Sequence, residues 1–244
     1  MTALSLVSSI IRRLIIPALP EKMRLPVAAS WTKLQGEVEP EIIYVPRLMG
    51  QENCHTALDV GANDGQFGYL LSKSFKHVHA FEANPDLAAR LQRWRPGNMT
   101  VINNAVSDTD GAVVTLHVPV VKGVALNGWA SLAEPTVPGT TSFVTYQIKT
   151  TRIDSHEFDT VSLIKIDVEG HELAVLKGAM GTIRKHLPWL LVEVWDEQRA
   201  AVCDLLKPLG YSAATLRELA GIEGSPQNLI FASPQFLSAR GAQA

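Results

Sequence analysis

A chain of 244 residues is long enough for one large domain with a substantial core, or for one domain and a small appendage. Its 22 basic and 24 acidic residues leave a formal charge of −2, so it has no basic footprint for a nucleic-acid groove and a large polyanionic partner is not expected. Cys54 and Cys203 are too few for a disulfide scaffold and lack metal-ligand spacing, which fits reduced thiols and a cytoplasmic location.

The first predicted element is an amphipathic helix in residues 1–16. Leu4, Val7, Ile11 and Leu14 share one face, while Ser5, Ser8, Ser9 and Arg12 share another. Arg12 and Arg13 interrupt the apolar run, which suits neither a secretory leader nor a bilayer span. Packing on the domain, homo-oligomer contact and peripheral membrane contact stay open for this helix. Pro17, Pro20 and Pro26 then predict a linker or wrapping arm. Residues 1–40 are thus read as helix and arm, and residues 41–244 as the main domain, with a second lead-in at residues 41–49.

From His55 onward, apolar runs of strand length alternate with helical patterns, as in βαβ units stacked around a largely parallel sheet. Strands are predicted at residues 56–60, 77–81 and 99–106. A helix follows the first through Phe67, Leu70 and Leu71, and a helix follows the second, where Asn84 offers an N-cap and Pro85 a first helical position. Residues 111–118 and 143–148 read as further strands, with residues 119–142 as an excursion over the sheet that shapes a substrate pocket. A strand at residues 161–166 leads into one helix whose buried stripe is Leu173, Leu176, Met180, Ile183 and Leu187. Strands at residues 189–194, 211–216 and 228–232, with a helix at residues 198–206, complete the chain.

Ligands of open α/β sheets bind beyond the carboxyl ends of the strands, so the residues after each strand carry the chemistry. Gly61 and Gly65 bracket a turn where the backbone could approach a ligand, with Asn63 between them and Asp59 beside them. A dinucleotide loop would show G-x-G-x-x-G ahead of a pyrophosphate. Here Asp59 and Asp64 disfavour a diphosphate and would attract the sulfonium and amino group of S-adenosyl-L-methionine. Glu82 ends the second strand, where an acid accepts hydrogen bonds from ribose hydroxyls. Asn104 and Ala105, with Val106 and Asp108, offer amide, backbone and apolar contacts to an adenine.

These residues resemble the FkbM-type methyltransferases. The resemblance covers residues 41–194 and is carried by Asp59-Val60-Gly61-Ala62-Asn63-Asp64-Gly65, Phe81-Glu82-Ala83-Asn84-Pro85, Ile164-Lys165-Ile166-Asp167-Val168-Glu169-Gly170-His171-Glu172 and Val192-Glu193-Val194. It implies a doubly wound, mostly parallel, seven-stranded class I methyltransferase sheet of Rossmann-like form, here with an N-terminal helical extension. It also implies methyl transfer, usually to a hydroxyl on a sugar, glycan or natural-product intermediate. By the same carry-over Asp59, Gly61, Asn63, Gly65 and Glu82 contact the cofactor, Asp167 lies near its methionyl end, and residues 41–47 fold over that end.

An aliphatic hydroxyl needs a base, and Asp167, Glu169, His171 and Glu172 leave the fourth strand together at the ligand edge. His171 leads as general base because its ordinary pKa of about 6.5 suits proton uptake near neutrality. Asp167, Glu169 and Glu193 are the carboxylate alternatives, and Lys165 could neutralise one of them. Asp167, Glu169 and Glu193 could also hold a divalent cation, although no dedicated metal site is expected from their spacing. A nicotinamide-dependent oxidoreductase and a catalytically silent cofactor-binding module are the rival functions. The missing three-glycine fingerprint counts against the first, and the acid and histidine cluster against the second.

Overall fold

The computed structural model describes residues 11–236, so Leu4, Val7 and the serines of the predicted first helix lie outside the described residues. The chain enters through a π-helical turn, Ile11–Ile15, and a short helical turn, Ile16–Ala18. Ile16 is buried, whereas Leu14 is exposed. Pro20 and Pro26 predict a linker next, but residues Glu21–Leu34 form helix α1 with Pro26 inside it. Leu25 and Ala29 are buried beneath it, and that burial sustains the helix despite the hydrogen bond Pro26 cannot donate. Helix α2 (Pro40–Met49) follows, burying Ile42, Val45 and Met49 on one face.

The main sheet begins with β1 (Thr56–Val60), buried along its whole length, and α3 (Gln66–Leu71). Next come β2 (His77–Phe81) and α4 (Pro85–Trp94), whose start is fixed by the Asn84 side chain accepting from the Asp86 and Leu87 amides. The predicted strand at residues 99–106 divides in two. β3 (Met99–Ile102) stays in the main sheet, while β4 (Ala105–Val106) turns away into a second sheet. That second sheet also holds β5 (Val113–Val121), β6 (Val124–Ala125) and β7 (Thr140–Thr151), in the order β4-β7-β5-β6.

The chain returns through β8 (Val161–Ile166). The single helix predicted after it is broken into α5 (Glu172–Lys177) and α6 (Met180–His186). A Cβ on Gly178, at the break, would lie 2.0 Å from the Ser107 carbonyl oxygen, so the chains meet there only because the residue is glycine. Asp154 then serves the start of α6 from a distance, accepting from the Gly181 and Thr182 amides at 2.9 and 2.8 Å. β9 (Trp189–Glu193), α7 (Asp196–Leu206) and β10 (Ala213–Ala214) follow. Leu216, predicted to end a strand, instead opens α8 (Leu216–Ala220), because Thr215 and Glu218 form a capping box there. β11 (Asn228–Phe231) closes the sheet.

The main sheet has seven strands in the order β10-β11-β9-β8-β1-β2-β3. β9-β8-β1-β2-β3 are mutually parallel, and β11 runs antiparallel between β9 and β10. Strand alternation divides the core into two layers. Ala57, Leu163 and Leu191 pack with Leu25, Val45 and Leu91 on one side, and Leu58, Ile164 and Val192 pack with Val175, Ile183 and Val202 on the other. Strand order reverses between β1 and β8, and the crevice beyond that reversal is where the fold offers a ligand site. Among the described residues no helix is long and apolar enough to cross a membrane.

Candidate cofactor and acceptor site

The turn after β1 is shaped by two glycines. Gly61 has φ +84°, and a Cβ on it would sit 1.8 Å from the Asp167 carbonyl oxygen, so the turns after β1 and β8 touch backbone to backbone. Gly65 also has φ +84° and packs against Leu91, where a Cβ would come within 2.2 Å of Cδ1. Between them Asn63 adopts φ +50° and donates its backbone N–H to Glu82 Oε2 at 2.6 Å. Glu82 Oε1 accepts from the Asn84 N–H at 2.7 Å. The carboxylate therefore braces two turns, and each oxygen keeps acceptor capacity toward the cleft it lines. Burial pushes the Glu82 pKa up to about 7, against the two amides that favour the ionised form.

A cleft opens beyond this turn, walled by residues of the main sheet's strand ends and of the second sheet. Gly61, Asn63 and Glu82 form one wall. Asn104, Ala105, Val106 and Leu116 form a partly apolar one, and Asn104 is fixed by donating to the Lys149 carbonyl at 3.0 Å. The connection between β5 and β7 contributes Asn127, Gly128, Ser131 and Leu132. It is tied down at two points: Asn84 Nδ2 donates to Asn127 Oδ1 at 3.2 Å, and Ser131 Oγ donates to the Glu169 carbonyl at 2.7 Å.

The turn after β8 supplies the acids. Asp167, Glu169 and His171 line the cleft. Lys165 Nζ lies 2.9 Å from Asp167 Oδ2 and 4.0 Å from Asp59 Oδ1, with the Phe67 ring centroid at 4.8 Å. Burial opposes the lysine charge, but Asp167 and Asp59 outweigh it and hold its pKa above the ordinary value. Glu169, with φ +51°, has its pKa raised to about 7 by burial and then by Asp167 and Glu172. Glu193 is raised to about 8 by burial and by the charges of Asp167, Glu39 and Glu169. Glu172 is a brace, accepting from the Gly170 amide at 2.8 Å. His171 Nε2 lies 2.9 Å from Ser107 Oγ, and burial lowers its pKa, against a raising contribution from Asp108.

Gly61, Asn63, Glu82, Asn104, Ala105, Asp167, Glu169 and His171 thus meet at one cleft. Gly65 packs behind it. Asp59 points away from it, fully buried against Gly68 and beside Lys165 in the layer of α1 and α2, because its position in β1 alternates with Leu58 and Val60. Glu193 feels the cluster electrostatically but is not a wall of the cleft. The charge neighbour of His171 is Asp108, on the segment that follows β4. Sequence reasoning passed over Glu39, Ser107 and Asn127. Glu39 Oε2 accepts from Asn228 Nδ2 at 2.9 Å, and a serine, an asparagine and a helix-leading glutamate carry no local signal for such roles. Among the described residues no group of three or more His, Cys, Asp or Glu side chains could hold a metal ion.

A family model described as a Methyltransferase FkbM domain matches residues 59–213, more than half of the chain. The chain belongs to the FkbM methyltransferase family. It is 30% identical over 139 residues to a hexuronic acid methyltransferase, AglP, of Haloferax volcanii, covering 56% of this chain and 54% of that protein. The match therefore spans about half the length of that relative. Among solved structures it is similar to a methyltransferase FkbM from Methylobacillus flagellatus, at 18% identity and a TM-score of 0.47, covering 73% of this chain and 44% of that one. It is also similar to a TehB-like SAM-dependent methyltransferase from Corynebacterium glutamicum, at 11% identity and a TM-score of 0.44, covering 85% and 96%. Membership decides between the two cofactor readings in favour of S-adenosylmethionine. The cleft suits that cofactor: Glu82 offers acceptors for hydroxyls, Ala105, Val106 and Leu116 offer an apolar wall, and the carboxylates suit a cation.

Proposed function

We propose that this FkbM methyltransferase methylates a hydroxyl oxygen on a sugar, a glycan or a similarly hydroxylated small molecule. The observation that carries the reading is the set of walls beyond β8, where an imidazole and two carboxylates face the cleft that suits the methyl donor. Bound S-adenosylmethionine supplies an electrophilic methyl group on a sulfonium. The chain's own work is to hold the acceptor oxygen in line with that methyl, exclude water and take the hydroxyl proton. The name of the 30% identical relative, a hexuronic acid methyltransferase, supports a sugar as acceptor.

His171 is the proposed base. Its lowered pKa keeps the imidazole neutral near pH 7, and in the tautomer whose Nε2–H donates to the Ser107 hydroxyl, Nδ1 is left to take the proton. Glu169 is the alternative, because it also lines the cleft and its pKa of about 7 matches a base at neutrality. Asp167, bound to Lys165, is better suited to fixing the donor end of the cleft than to accepting a proton.

The test is transfer of isotopic methyl label from S-adenosylmethionine to a panel of sugars, glycans and hydroxylated metabolites, followed by location of the labelled atom. Label on an ether oxygen of a sugar is the expected result. Label found only on nitrogen or carbon, or in no acceptor while the protein still binds S-adenosylhomocysteine, would overturn the reading.

A further inference from the structure

Two tryptophans stand exposed beside the acid turn. Trp129, 46% exposed, ends the turn Asn127–Trp129, whose first two residues line the cleft. Trp195, 39% exposed, lies two residues past β9 at the start of α7. Both are joined to the residues between Asp167 and His171. The segment carrying Trp129 is fastened by Ser131 to the Glu169 carbonyl, and α7 is fastened by Gln198 Nε2 to the Gly170 carbonyl at 2.8 Å. Neither indole packs into a core cluster. Trp129 adjoins residues that line the cleft, and Trp195 stands one helical turn before Gln198. A large aromatic face left in water costs solvation and gives broad contact area with little side-chain entropy to lose. The axial C–H faces of a pyranose ring suit such a surface.

The charge of the walls is the second observation. Among the described residues the cleft is lined by Glu82, Asp167 and Glu169 and by no lysine or arginine. Glu193 and Glu39 add negative charge behind Asp167. Lys165, the cation within this group, is buried and already held by Asp167 and Asp59. Arg199, on the helix that Trp195 begins, is paired with Asp196 and donates to the Pro226 carbonyl. A carboxylate on the acceptor would enter without a cation to receive it and would face like charges across a partly desolvated space. Hydroxyl groups would find carboxylate acceptors instead.

We propose that Trp129 and Trp195 form an aromatic platform for the acceptor, and that the cation-free walls restrict that acceptor to an uncharged pyranose and reject a hexuronate. The proposal rests on the sugar reading above and deepens it. It separates this chain's acceptor from the one printed in the name of its Haloferax volcanii relative.

The full chain, loaded with S-adenosylhomocysteine, is titrated by saturation-transfer NMR with methyl glycosides of neutral hexoses and with the matching methyl hexuronides at neutral pH. At least one neutral glycoside should bind, and the hexuronides should bind about tenfold more weakly or not at all. Trp129→Ala and Trp195→Ala should each weaken the neutral glycoside by about fivefold or more, while S-adenosylhomocysteine affinity stays within about twofold. Hexuronides that bind as well as neutral glycosides, or tryptophan variants that bind sugar like wild type, would overturn the proposal and leave the sugar reading standing. Binding of no glycoside of either charge, with S-adenosylhomocysteine still bound, would overturn both.

Discussion

The two sides of the cleft are built on opposite principles. On the side of β1 and β2 the one carboxylate, Glu82, is matched to backbone amides: Asn63 and Asn84 each give it an N–H. On the side of β8 and β9 the carboxylates Asp167, Glu169 and Glu193 are matched mainly to one another, with one buried lysine among them. The first arrangement fixes a ligand's position by rigid local geometry. The second stores unfavourable charge that a cationic ligand or an incoming proton relieves. The proposed O-methylation needs both, because the donor must be held and a proton must leave the acceptor hydroxyl.

The sharpest way to break this contrast is at the base. His171→Ala should lower kcat by about 10²–10⁴-fold while leaving S-adenosylhomocysteine affinity near wild type. Turnover against pH decides the alternative: near-wild-type turnover with an unmoved profile would transfer the role to Glu169. Next comes the buried lysine. Lys165→Met should cost about 3–5 kcal/mol of stability in urea unfolding, because Asp59 is left buried without its counter-charge. Adding Asp59→Asn should restore part of that loss, and a single variant as stable as wild type would mean the pair is not coupled. On the ordered side, Glu82→Ala should weaken S-adenosylhomocysteine by about 1.5–3 kcal/mol, read by calorimetry, as expected for losing a charged hydrogen-bonding partner.

The crowding among the acids makes a prediction with a definite sign. The Glu193 carboxyl titrates at about 8 in the fold, against an ordinary 4.5, so between those values the folded chain holds a proton that the unfolded chain has released. Its contribution to stability is therefore lost as pH rises through that window. Glu193→Gln should flatten the fall in urea midpoint between about pH 5 and 8, by on the order of 1 kcal/mol. An unchanged slope would remove Glu193 from the coupled group. The smallest effect is at the fastening between the β5–β7 connection and the acid turn. Ser131→Ala should cost about 0.5–1.5 kcal/mol and raise the acceptor KM more than it lowers kcat.

Legibility in the sequence follows the same division. The strands β1, β2 and β8 and the turn through Gly61, Asn63 and Glu82 were readable because each part is local: a buried strand, a turn needing positive φ, and an acid at a strand end. Asp59 was misplaced for a reason the strand period already contained. It alternates with Leu58 and Val60, whose side chains enter the opposite layer, so its carboxylate faces Lys165 and Gly68. Glu39, Ser107 and Asn127 could not be read, since each gains its role from partners far along the chain: Asn228, His171 and Asn84. The helix break at Gly178 was hidden for the same reason, because the stripe from Leu173 to Leu187 runs through it and the Ser107 carbonyl that demands it is supplied by another segment.

That contact at Gly178 gives the fold a remote lever on the proposed base. The hydroxyl of Ser107 steadies the His171 ring, and the carbonyl of the same residue rests where a side chain at position 178 would stand. Any residue larger than glycine there must push the Ser107 backbone aside and tilt the imidazole with it, although no wall of the cleft has been altered. With His171 as the proposed base, a substitution at this buried helix break would register as a defect of rate with donor affinity intact, and a screen confined to cleft residues would miss its origin.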